Sequence, residues 1–89
     1  MYKVIKFGAK WCPPCQTLKP IFERVNKAFT NKVEFEVVDI DESPELATQF
    51  KVSAVPTILL MKDDKVEDQI VGLCPEAALV SKIKELLAK

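Results

Sequence analysis

The sequence predicts one α/β domain, residues 1–89, ordered β-α-β-α-β-β-α, with a four-stranded mixed sheet covered by helices on both faces. Three observations predict it. Eighty-nine residues leave room for a single core. Hydrophobic residues make up 48% of the chain and charged residues 29%, the balance of a globular protein rather than a disordered one. Short β-branched and apolar runs alternate with segments whose apolar positions recur every third or fourth residue.

Tyr2 to Phe7, with Val4, Ile5 and Phe7, reads as a buried strand. From Pro14 to Phe29 the apolar positions Leu18, Ile21, Phe22, Val25, Ala28 and Phe29 make one helical face, with Glu23 and Lys27 spaced as an i,i+4 pair outside. Pro20 lies inside that helix, where it removes one hydrogen bond and bends the axis. Val33 to Ile40 is a second strand. Ser43-Pro44-Glu45 sets an N-cap, a proline at the first helical position and an acid in the first turn of a short helix through Phe50. Thr57 to Met61 and Val66 to Val71 form a hairpin around Lys62-Asp63-Asp64-Lys65. A last helix runs from Pro75 to Ala88 with Leu79, Val80, Ile83, Leu86 and Leu87 on one face. Strands joined across a helix are expected to be parallel, and the closing hairpin antiparallel.

Thirteen basic residues balance thirteen acidic ones, so no net field draws nucleic acid or anionic lipid. The longest apolar runs, such as Ile58 to Met61, fall far short of the roughly 20 residues a bilayer requires. No nucleic-acid partner, no membrane association and a monomer are expected. Three cysteines are too few for a disulfide scaffold and leave one thiol over from any single bridge. Met1 to Lys6 has no apolar stretch of signal-peptide length, so a reducing, cytoplasmic setting is expected, where a cysteine pair is catalytic or metal-binding. The absence of histidine removes imidazole zinc sites and every histidine-based triad.

The chemistry concentrates at Trp11-Cys12-Pro13-Pro14-Cys15, between the first strand and the first helix. A Cys-x-x-Cys in that context reads as a redox pair, because two cysteines three apart at a helix start bring their sulfurs within bonding reach. Cys12 falls at the N-cap, where the positive helix end favours a thiolate and makes it the attacking nucleophile. Cys15, one turn in and more buried, is expected to resolve the mixed disulfide. Pro13 and Pro14 carry no N–H, so only Cys15 and Gln16 are left to donate to the thiolate; a modest stabilisation and a reducing dithiol follow. The competing reading is half of a structural zinc site, for which three sulfurs and no histidine fall one ligand short.

These residues, with several separated ones, closely resemble the thioredoxin family over almost the whole chain. Trp11-Cys12-Pro13-Pro14-Cys15 is similar to the redox motif, with Pro-Pro where Gly-Pro is usual. Pro20 matches the helix-kinking proline, Val55-Pro56-Thr57 the segment whose proline is cis and lies against the disulfide, and Val71-Gly72 the glycine loop on the same face. The resemblance implies a substrate surface made by Trp11, Pro13, Pro14, Val55, Pro56 and Gly72, with the free backbone of Val55 pairing an extended segment of a disulfide-containing protein. It implies catalysis by Cys12 and Cys15 as a redox-active disulfide, with no bound cofactor and no metal. A thioredoxin-reductase-type donor would recharge the pair.

The chain departs from the family at Lys6, where a buried aspartate is usual, and at Val37, where its companion lysine is lost. Two readings of Lys6 follow: its stem packs while the ammonium reaches water, or a partly buried amine exchanges the Cys15 proton. Gly8 is more similar to glutaredoxins, but Leu73 stands where their second glycine would hold glutathione. A glutathione-dependent redoxin is therefore the alternative, and a non-catalytic binding subunit the third reading. Cys74, before Pro75, is either an N-cap thiol of lowered pKa or a buried filler. Asp39, Asp41 and Glu42 read as solvated acids.

Overall fold

A computed structural model describes residues 1–89 as β1 (Tyr2–Gly8), α1 (Pro13–Phe29), β2 (Glu34–Asp39), α2 (Pro44–Gln49), β3 (Thr57–Lys62), β4 (Lys65–Val71) and α3 (Glu76–Leu87). The four strands form one sheet in the order β2-β1-β3-β4. β1 pairs in parallel with β2, Lys6 opposite Val37, and antiparallel with β3, Lys6 opposite Ile58. β3 and β4 make the expected antiparallel hairpin, closed by a tighter turn at Asp63-Asp64, with Asp63 at φ 57°.

The parallel rule holds for the first crossover and fails for the second. α2 has six residues, about 9 Å of helix, and does not return the chain to the far end of the sheet. β3 therefore starts at the end where β1 and β2 finish and runs antiparallel to β1. This reversal brings the Val55–Pro56 segment to the same sheet end as Cys12.

Side-chain alternation sorts the core into layers. Val4, Ile58 and Leu60 point to one face, where α1 supplies Leu18, Phe22, Val25 and Phe29, and α3 supplies Leu79, Ile83 and Leu86. Ile5, Phe7, Leu59 and Met61 point to the other face, under Leu46 and Phe50. Phe22 meets Phe35 edge-on, with ring centroids 5.4 Å apart. Burying each such large apolar side chain stabilises the fold by about 1.5–3 kcal/mol. Pro20 is accommodated inside a continuous α1.

Some local expectations are corrected. Ala28 is exposed, and Glu23 and Lys27 form no ion pair. Ser43 takes the N-cap position of α2 but makes no side-chain cap; its N–H donates to the Asp39 carbonyl at 2.9 Å. The N-cap of α3 is Pro75, not Cys74.

Candidate active site

Cys12 caps α1 with an extended backbone, φ −100° and ψ 107°. Pro13 and Pro14 follow at the first helical positions, where their fixed φ suits the helix and their missing N–H removes nothing the helix needs. The turn closes Cys12 onto Cys15 as a disulfide, Cα atoms 5.3 Å apart. The Cys15 N–H donates to Cys12 Sγ at 3.3 Å. The Gln16 N–H instead donates to the Cys12 carbonyl at 3.2 Å, so one backbone donor reaches the sulfur where two were expected. The expected contrast in burial is also corrected: Cys12 is 4% and Cys15 5% exposed. Both pack with Ala9 against Ile40, which follows β2, and Val55.

The Val55–Pro56 bond is cis. Cys12 Sγ lies 3.8 Å from the Val55 carbonyl oxygen, which accepts a hydrogen bond from the sulfur only once the disulfide is reduced. Val55 makes no backbone hydrogen bond of its own. The Gly72 N–H donates to the Pro56 carbonyl at 2.8 Å, drawing Val71, Gly72 and Leu73 beside this segment, with Gly72 at φ 92°. Pro13 and Pro14 are exposed. Val71 and Leu73 add exposed apolar surface that sequence reasoning missed; their place on either side of the loop glycine was the available signal.

Trp11 is 65% exposed, and its indole N–H donates to Asp41 Oδ2 at 2.8 Å. Asp41, read from the sequence as a solvated acid, therefore orients the tryptophan. Asp39 shapes that loop in turn: its Oδ1 accepts from the N–H groups of Asp41 at 2.8 Å and Glu42 at 3.3 Å.

Behind the disulfide lies a cavity of about 320 Å³ that both Lys6 and Cys15 line. Lys6 is 6% exposed: its stem is buried, while its ammonium, without a hydrogen-bond partner, keeps accessible surface at this cavity. Its Nζ sits 5.3 Å from the Phe22 ring centroid and forms no ion pair. Burial, and secondarily the Lys19 charge, hold its pKa below 10.5 against a smaller opposing effect of Glu23. Val37, 63% exposed, lines the same cavity from β2. Cys74 is 7% exposed in the main core cluster, apart from Cys12 and Cys15, and burial pushes its thiol pKa up rather than down. The three sulfurs do not converge.

A parallel β-α-β unit carrying Cys-x-x-Cys at its turn, faced by a cis-proline from an antiparallel strand, is the thioredoxin-type fold. The chain matches the Thioredoxin family model over residues 2–85. It is 46% identical over 69 residues to thioredoxin H5 of Arabidopsis thaliana, covering 78% of this chain and 58% of that one. It is 43% identical over 84 residues to the mitochondrial thioredoxin of Bos taurus, covering 94% and 51%. Among solved structures it superposes on oxidised mitochondrial thioredoxin 3 of Saccharomyces cerevisiae with a TM-score of 0.85 at 37% identity, covering 94% of this chain and 77% of that one. This chain belongs to the thioredoxin family. It spans about half to three-fifths of the length of these two plant and bovine relatives.

Proposed function

We propose that this chain is a thiol–disulfide oxidoreductase that reduces disulfides in other proteins. The observation that carries the reading is the Cys12–Cys15 disulfide at the start of α1, beside the unpaired backbone of Val55. An extended substrate segment pairs with that backbone and rests on Trp11, Pro13, Pro14, Pro56 and Gly72, which holds its disulfide against Cys12.

In the dithiol form the Cys12 thiolate, favoured by the helix end and the Cys15 N–H, attacks one substrate sulfur. A mixed disulfide forms and the other substrate sulfur leaves as a thiolate, which takes a proton. Cys15 then loses its proton to solvent, its thiolate favoured by the ammonium of Lys6 across the shared cavity, and attacks Cys12 Sγ. The mixed disulfide breaks and the second substrate thiol is released. Two electrons have passed from the cysteine pair to the substrate, and an external dithiol donor of the thioredoxin-reductase type returns them. No bound cofactor enters these steps, and the chain acts as a monomer in a reducing compartment.

The test is reduction of a disulfide-bonded protein such as insulin by the full chain with dithiothreitol as donor. Cys12→Ser is expected to lose turnover, and Cys15→Ser to accumulate the mixed disulfide. Undiminished turnover in Cys12→Ser overturns the reading. The potential of the pair, followed by Trp11 fluorescence, identifies the donor: about −270 mV fits a thioredoxin-type reductase, and about −200 to −230 mV fits glutathione.

A further inference from the structure

We propose that the cavity behind Cys15 is a binding site for a small oxyanion, of phosphate or carboxylate type, held by the ammonium of Lys6. The inference goes beyond the reductase reading, since it concerns the resting disulfide form and needs no turnover.

Lys6 enters the cavity from β1, and its surroundings leave its charge unmatched. The side chain is 6% exposed, yet no carboxylate or hydrogen-bond acceptor of the protein meets its ammonium, which has only the face of Phe22 beside it and otherwise opens into the cavity. The charged groups lining the cavity are Lys6, Lys10 and Lys19 against Glu23 and Asp39. Asp39 already accepts two backbone N–H groups, and Lys10 reaches Glu42 at 3.6 Å. Lys19 forms no ion pair. Two ammonium groups therefore remain unpaired at one cavity, with Glu23 as the remaining carboxylate. Its volume of about 320 Å³ equals roughly ten waters at about 30 Å³ each, ample for an oxyanion and part of its hydration shell.

Because Cys15 lines the same cavity, the anion and the deprotonation of Cys15 are coupled. The Cys15 thiolate that forms during resolution competes with the anion for the ammonium, whereas the neutral disulfide does not. By linkage the bound anion disfavours that thiolate to the same extent. It also occupies the ammonium that favours the Cys15 thiolate during resolution.

The experiment titrates the oxidised full chain with sodium phosphate, sodium acetate or sodium chloride at constant ionic strength, reading backbone amide shifts at Gly8, Ala9 and Gln16. Saturable shifts with phosphate or acetate in the low-millimolar range are expected, and the tighter of the two identifies the oxyanion source. Lys6→Met is expected to weaken binding by about tenfold or more, the size of one lost charge-assisted hydrogen bond. Lys19→Gln, on the exposed side of α1 and so without folding risk, is expected to weaken it about threefold. Shifts that stay linear, equal shifts with chloride, or wild-type affinity in either variant overturn the site. None of these results bears on whether the dithiol form reduces proteins.

Discussion

Lys6→Met is expected to stabilise the oxidised protein at neutral pH, by about 1–2 kcal/mol. Lys6 is 6% exposed with no carboxylate partner, and methionine reproduces most of its unbranched stem. Replacing a buried ion pair by apolar residues of similar volume is neutral to stabilising by about 1–4 kcal/mol, and Lys6 lacks even the partner that offsets desolvation in such a pair. Against this stands loss of the contact with Phe22, whose ring centroid is 5.3 Å from Nζ, about 0.5–2 kcal/mol. The difference favours methionine. The pH dependence follows from the sign of the shift. Burial holds the folded pKa of Lys6 below 10.5, so between the folded pKa and 10.5 the unfolded chain binds more protons. Wild-type stability therefore rises with pH across that window, while below it the full cost of the buried charge is present. The advantage of Lys6→Met is greatest near neutrality and shrinks toward 10.5. Urea unfolding of the disulfide form, followed by circular dichroism at about pH 7 and about pH 10, measures both. In a domain of this size 1 kcal/mol corresponds to about 4–8 °C in Tm. A variant less stable than wild type at neutral pH, or an advantage that persists undiminished at the higher pH, refutes the reasoning.

Three further outcomes are expected. Asp41→Asn weakens the acceptor for the Trp11 indole and, because the pair is exposed, costs under about 1 kcal/mol of stability while changing Trp11 emission; unaltered emission would show that Asp41 does not hold the ring. Gly72→Ala meets no atom within 4 Å of the added Cβ, so its cost of about 1–2 kcal/mol is conformational, arising from φ +92°, and appears in urea unfolding together with a raised KM for protein substrates. A variant as stable as wild type removes that account. Cys74, buried and with its pKa raised, is expected to react with iodoacetamide only after unfolding, and alkylation at the rate of a free thiol would contradict its burial.

Much of the fold was legible because the signals are local. The spacing of Leu18, Phe22, Val25 and Phe29 forecast the buried face of α1, and all four are buried. Ala28 misled because its single methyl adds little to which way a helix turns. Cys74 was placed one residue too close to α3 because either it or Pro75 can precede a helix; the backbone puts the cap at Pro75. The parallel rule misled at β3 because it takes no account of how short α2 is.

The cysteine spacing, the two prolines after Cys12, the cap position and the order of elements were determined by the sequence alone, since each depends on neighbours within a turn or two of chain. Only the tertiary structure decided that Cys12 faces the carbonyl of Val55, that Asp41 holds Trp11, and that Lys6 is buried without a partner. Those contacts join residues about 15–45 positions apart, brought together by where β3 enters the sheet and how α1 and α2 close over its two faces. A lysine in a strand reads as solvated until the helix that covers it is in place, and it is the Phe22 turn of α1 that buries most of Lys6 and leaves its ammonium facing the cavity.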